Sequence, residues 1–175
     1  MNFDIEDTNL PEIKIIHGKR FQDDRGYFSE TYKVNDFYDL GLPEFVQDNM
    51  SKSSKGVVRG LHWQEEPYGQ GKLVQCISGS ILDVAVDIRK ESVNFGKHVI
   101  VELDENKLKF LWIPTGFAHG FQALENNTIV SYKVTNYWNK DSEKSIRFDS
   151  VNINWPINPI KISDKDNQAI EFKNM

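Results

Sequence analysis

The chain has 175 residues and a formal net charge of −5, from 21 Lys and Arg against 26 Asp and Glu. That balance lacks the basic face with which a nucleic-acid-binding module displaces counterions, and no apolar run approaches the length of a membrane-spanning helix. Hydrophobic residues are 39% and aromatic residues 12% of the total, enough for one domain with a sizeable core and too many for a disordered chain. Cys76 is the sole cysteine, so an intrachain disulfide and a CxxC zinc site are both excluded. The first ten residues have neither the basic start nor the apolar stretch of a secretory signal. The expectation is a soluble cytoplasmic protein.

In chain order, Asn35 to Leu40 followed by Gly41 predicts a short helix with a glycine stop. Val57 to His62 reads as a strand. Ile81 to Ile88 alternates with period two, placing Leu82, Val84, Val86 and Ile88 on one face and Asp83, Ala85 and Asp87 on the other. Val99 to Leu103 is short, β-branched and closed by the turn signal Asp104-Glu105-Asn106; Phe110 to Ile113 and Thr128 to Val134 read the same way. Gly79, Gly96, Gly116 and Gly120 are placed in loops between these runs. The C-terminal segment, from about residue 139, is polar and interrupted by Pro156 and Pro159, so it is expected to wrap the surface. Many short strands with regular turns predict an all-β antiparallel jelly-roll sandwich or barrel with a few short helices, forming one domain over residues 1–175. There is no GxGxxG or GxxxxGK[ST] phosphate cradle.

Four histidines are present, and two stand in unusual company. His62 follows Arg59-Gly60-Leu61, and His119 follows Pro114-Thr115-Gly116-Phe117-Ala118; glycines flank both, allowing close approach of a ligand or another backbone. A single histidine on a strand is more often structural. Here Arg59, Gln64, Gln70 and Lys72 lie nearby on strands that otherwise read as buried, and so many polar groups call for a shared cavity.

The two segments resemble the paired motifs of the cupin superfamily: Gly56 followed at six residues by His62, and Pro114-x-Gly116-x-x-His119. Metal-binding cupins have a second histidine where this chain has Gln64, and a glutamate near Tyr68 or Gly69. The resemblance therefore implies a cupin-like fold without a metal or other cofactor, with Lys72 placing a positive charge where a metal would sit.

A closer resemblance spans residues 21 to 166. Phe21-x-Asp23-x-Arg25-Gly26-x-Phe28-x-Glu30, Gln47-Asp48-Asn49-x-Ser51, Arg59-Gly60-Leu61-His62-x-Gln64 and Gln70-Gly71-Lys72-Leu73-Val74 are similar to segments of the dTDP-4-dehydrorhamnose 3,5-epimerase family. So are Pro114-x-Gly116-Phe117-Ala118-His119-Gly120-Phe121, Tyr132-Lys133-x-x-Asn136-Tyr137 and Ser163-x-Lys165-Asp166. The resemblance implies a cofactor-free homodimer formed by strand exchange, acting on a dTDP-linked 4-keto-6-deoxyhexose in deoxysugar (rhamnose) biosynthesis and inverting C3 and C5. It implies His62 as base, Asp166 as its carboxylate partner, Tyr132 as acid, and Lys72 with His119 at the developing enolate oxygen. Arg25, Arg59 and Lys165 are the implied phosphate and sugar contacts, Gln47, Asn49, Glu30 and Glu143 further substrate contacts, and Trp138 the aromatic that stacks on the base. On a strand, Asp48 would point away from Gln47 and Asn49. Alternatives remain open at this point: inversion at C3 alone, a metal-dependent cupin, or a carbohydrate-binding module without catalysis.

Overall fold

A computed structural model of the chain describes residues 2–158 and 161–175. Pro159 lies outside the described residues. The elements run β1 (Phe3–Asp7), β2 (Lys14–Gly18), β3 (Phe21–Asp23), β4 (Gly26–Phe28), α1 (Val34–Asp39), β5 (Gln47–Ser53), β6 (Val58–Gln64), β7 (Lys72–Ser78), β8 (Ser80–Asp87), β9 (His98–Asp104), β10 (Lys109–Ile113), β11 (Phe117–Ala123), β12 (Thr128–Val134), β13 (Glu143–Ser145) and α2 (Asp164–Asn167), with a final 3-10 turn at Phe172–Asn174. Two antiparallel sheets face each other. The first has the order β1-β2-β10-β7-β12-β5, the second β13-β6-β11-β8-β9, and β3 with β4 forms a separate hairpin. The predicted helix is α1, followed by Gly41 at φ +79°, and the predicted strands are β6, β8, β9, β10 and β12.

The central strands β8, β10 and β11 are buried on both faces because each sheet is covered there on its outer side as well. Between them lie Val74, Cys76, Leu111, Ile113 and Val130 of the first sheet against Ile81, Ala85, Val99, Leu103, Phe117 and Phe121 of the second. Outside the first sheet, Phe37 of α1 packs with Phe3, Leu73, Phe110 and Trp112. Outside the second, Leu61, Val84, Val86 and Ala118 are covered by Ile146 and Ile153 of the C-terminal segment. Each fully buried Val, Leu, Ile or Phe among them contributes about 1.5–3 kcal/mol. Cys76 is free and buried, and burial pushes its thiol up to about 12.

The alternation of β8 comes out as the pattern predicted, and the face carrying Asp83 is the inner one, shared with Ile81 and Ala85. One glycine departs from prediction: Gly120 is not in a loop but inside β11, packed against β6. A Cβ on Gly120 would stand 2.6 Å from the Arg59 carbonyl oxygen, and one on Gly60 would stand 2.5 Å from the Gly120 Cα. The two strands touch backbone to backbone here, with a register shift between His119 and Phe121. Gly60 has φ +124°. The shift breaks the period of two, so Arg59 and His62, three residues apart, line one cavity while Leu61 and Trp63 pack outward.

Gly120→Ala should wedge β6 from β11, lowering stability by about 1–3 kcal/mol and disturbing the facing His62 and His119. Urea unfolding of the variant beside the parent checks this, and an unchanged midpoint would count against the tight crossing.

Candidate active site

The inner faces of the two sheets are apolar at one end of the sandwich and polar at the other. At the polar end, β6 and β11 bring His62 and His119 directly opposite each other. Two adjoining cavities of about 500 and 300 Å³ open there, sharing His62, Lys72, Tyr132 and Glu143 in their walls. These volumes suit a small-molecule cleft.

His62 Nε2 is 2.5 Å from Asp166 Oδ1. Asp166 comes from α2, whose N-cap Ser163 accepts the Asp166 backbone N–H at 3.1 Å. Burial raises the Asp166 carboxyl, but the hydrogen bond and charge of His62 outweigh it and hold the group below the usual aspartate range. With Nε2 committed to the carboxylate, Nδ1 is the imidazole nitrogen left free for proton transfer.

Lys72 opens β7, and its Nζ donates to the His62 carbonyl oxygen at 3.0 Å, tying one sheet to the other. Burial pulls its ammonium down to about 8, against the pull of Asp83 and Glu143. His119 Nε2 bonds Asp83 Oδ1 at 2.7 Å; burial lowers its pKa while Asp83 opposes the shift. Tyr132 lies on β12, in the sheet facing His62, opposite Asn49 of β5. Burial raises its phenol, so it stays protonated at neutral pH.

The outer reach is more open. Arg59 is held to β5, Nε donating to Ser53 Oγ at 3.0 Å and Nη2 to the Lys52 carbonyl at 3.1 Å. Glu143 pairs with Lys165 at 2.6 Å; burial raises the Glu143 carboxyl, but Lys165, His62 and a hydrogen bond from Trp138 bring it below the usual range. Gln47, Asn49 and Trp138 line the smaller cavity. Gln47 accepts the Trp138 backbone N–H at 3.2 Å and donates to Asn49 at 2.8 Å. Asp48 points the other way, to Lys133 at 2.9 Å.

Eleven of the thirteen site residues expected from sequence thus line the two cavities. Arg25 and Glu30 do not. The Arg25 side chain is 86% exposed on the β3–β4 hairpin and bonds Asp23, and Glu30 accepts from Asn2 Nδ2 at 2.6 Å; the hairpin pairs with neither main sheet, so nothing carries them to this chain's own cavity. Gln64 is turned away from the cavity, donating to the Tyr68 carbonyl at 2.6 Å and accepting the Asn139 N–H at 2.7 Å. It fixes two loops to each other. Among the described residues, no three His, Cys, Asp or Glu side chains are grouped to hold a metal ion.

Sequence reasoning missed the part of Asp83 in this cluster, and that of Ser51, Ser53 and Lys161 in the cavity wall. In β5 every residue but Met50 is polar, so no alternation marked the face of Gln47, Asn49, Ser51 and Ser53 as the one that meets the cavity.

An imidazole braced by a carboxylate, facing a phenol across a jelly-roll cavity, is an arrangement suited to acid–base chemistry, and the proteins this chain is similar to are isomerases. The family model described as dTDP-4-dehydrorhamnose 3,5-epimerase matches residues 7–174. The dTDP-4-dehydrorhamnose 3,5-epimerase of Shigella flexneri is 48% identical over 169 residues, covering 94% of this chain and 93% of that protein. The crystal structure of the Sulfolobus tokodaii dTDP-4-dehydrorhamnose 3,5-epimerase superposes with a TM-score of 0.94 at 48% identity, covering 99% and 97% of the two chains. The Legionella pneumophila dTDP-6-deoxy-D-glucose-3,5-epimerase, solved with dTDP-4-keto-L-rhamnose, gives a TM-score of 0.94 at 41% identity over 98% and 93%. The chain belongs to the dTDP-4-dehydrorhamnose 3,5-epimerase family.

Because the folded pKa of Asp166 is depressed, its pairing with His62 contributes stability above the ordinary aspartate range, near 3.9, and loses it as pH falls through the lower folded value. Asp166→Asn should therefore flatten the acid side of the stability–pH curve. Thermal melts between neutral and strongly acid pH check this; parallel curves for parent and variant would remove the linkage.

Proposed function

We propose that this chain inverts C3 and C5 of dTDP-4-dehydro-6-deoxy-D-glucose, giving dTDP-4-dehydro-L-rhamnose, by enolisation and reprotonation. The observation that carries the reading is the placement of the His62–Asp166 pair on one wall of the cavity and the Tyr132 phenol on the other. Epimerisation removes a proton from one face of a carbon and returns one to the opposite face, so base and acid must stand across the ring from each other. C3 and C5 both flank the C4 ketone, so one stabiliser of the C4 oxygen serves both inversions. The relatives described above are named 3,5-epimerases, which favours two inversions over C3 alone.

In this reading His62 Nδ1 takes the proton from the carbon beside the ketone, and Asp166 steadies the imidazolium that forms. The electron pair of the C–H bond moves to the C4 oxygen, where Lys72 and His119 meet the developing charge in a site shielded from water. Tyr132 delivers a proton to the opposite face, and solvent restores both groups. Arg59 and Lys165 take the diphosphate and the adjoining sugar, Gln47, Asn49 and Glu143 contact the substrate's polar edges, and Trp138 stacks on the thymine.

Arg25 and Glu30 enter the reading through a second subunit. The β3–β4 hairpin leaves Phe21, Tyr27 and Phe28 between 48% and 66% exposed, more apolar surface than a lone hairpin retains in water. We read it as the arm exchanged in a homodimer, carrying Arg25 to the partner's diphosphate. The unit is one epimerase domain whose segment from about residue 139 wraps the barrel and delivers Asp166, and its single reduced cysteine suits the cytoplasm.

Incubation with dTDP-4-dehydro-6-deoxy-D-glucose in D2O should place deuterium at C3 and C5 with both centres inverted, seen by proton NMR and mass spectrometry. His62→Asn should abolish the exchange. Tyr132→Phe should still exchange the α-proton but fail to complete at least one inversion. Deuterium at C3 alone would replace the two-centre reading, and full activity in His62→Asn would remove the assigned base. Sedimentation equilibrium should give a dimer at micromolar concentration; a monomer that turns over normally would remove the exchanged arm.

A further inference from the structure

Asp83 is fully buried on the inner face of β8, between Ile81 and Ala85, both also fully buried. Its Oδ1 accepts from His119 Nε2 at 2.7 Å, and its Oδ2 has no hydrogen-bond partner. A carboxylate in an apolar layer with half its acceptor capacity unused is a costly choice: apolar residues of similar volume often serve stability as well or better. What the charge does there is visible in its surroundings. Lys72 of β7 and His119 of β11 are both buried, and Asp83 is the leading charge that offsets the burial of each. The other charged and titratable groups acting on this pair are Glu143 of β13, which supports the Lys72 charge, and His62 of β6, which opposes the charging of His119.

We propose that Asp83 is a positioning residue for the enolate-binding end of the cavity: it holds the His119 ring through Nε2–H, leaving Nδ1 as the ring nitrogen for the substrate, and its negative charge sustains the ammonium form of the buried Lys72. The proposal rests on the epimerase reading for its catalytic meaning, while its physical content belongs to Lys72 and His119 themselves. Asp83 touches no substrate in this scheme. It sets the charge and the orientation of two groups that do. Burial pulls the Lys72 ammonium down to about 8, against the opposing charge of Asp83. Without that charge, burial is offset by Glu143 alone, and the balance moves further toward the neutral amine.

The test is Asp83→Asn, which keeps the shape and removes the charge. The Lys72 ammonium is followed by nitrogen-15 NMR against pH, assigned with Lys72→Arg, and kcat is measured over the same range. The Lys72 midpoint should fall by about one pH unit or more, and the alkaline limb of kcat should move down with it. A variant with a lower rate but an unmoved Lys72 midpoint and an unmoved alkaline limb would make Asp83 merely structural and overturn the proposal. The His119 tautomer is read in the parent protein, so it decides even if Asp83→Asn does not fold: Nε2–H is expected, and Nδ1–H would overturn the proposal. Absence of deuterium exchange in the parent would overturn the epimerase reading instead, leaving the Lys72 titration to decide the role of Asp83.

Discussion

Lys72, Asp83 and His119 lie on the two facing sheets and Asp166 on α2; all four are buried, and a charge taken out of water costs several kcal/mol unless it is paired. The sandwich meets that constraint by pairing across strands and across sheets. His119 on β11 meets Asp83 on β8, its neighbour in the second sheet. Lys72 on the first sheet reaches the His62 carbonyl on the second. His62 meets a carboxylate from α2, 104 residues further along the chain. Each bond orients a group that would be useless for proton transfer in a random rotamer, so the pairing that makes the polar end tolerable also makes it a site.

The crossing of β6 and β11 sets the geometry on which these pairs depend. Gly60 and Gly120 let the two backbones close to a distance no side chain would permit. The register shift that accompanies it puts Arg59 and His62 on one wall. Local conformational freedom in two glycines is thereby converted into the spacing between Arg59 and His62 on the cavity wall. Gln64, at the end of the same strand, is spent on joining the loops that carry Tyr68 and Asn139. The position that would hold a metal ligand in a metal-binding cupin holds the rim of the cleft together instead.

Legibility followed the physics of each feature. Strands showed plainly because alternation is a local property: the two faces of Ile81 to Ile88 were readable, with the strand itself running from Ser80 to Asp87. The inner placement of the Asp83 face was not, because both faces of β8 are buried and polarity alone marks neither as solvent-facing. Gly120 was misplaced for a related reason: in a sequence a glycine looks the same whether it supplies a turn or a close backbone approach. The histidines and their neighbours stood out as a cluster because polar residues on apolar strands need a common destination. Their individual roles came only from resemblance to a family.

By itself the sequence determined the class of fold, the two histidine segments, the absence of a disulfide and, by resemblance, most of the residues that meet in the cavity. Only the tertiary structure decided which ring nitrogen of His62 and His119 is committed to a carboxylate, that Tyr132 faces His62 from the opposite sheet, and that Arg25 and Glu30 stand away from this chain's own cavity. The division has one cause. Periodicity and residue type are carried by neighbours in the chain, whereas burial, pairing and the direction of a side chain are set by whatever the fold brings alongside from far away in sequence.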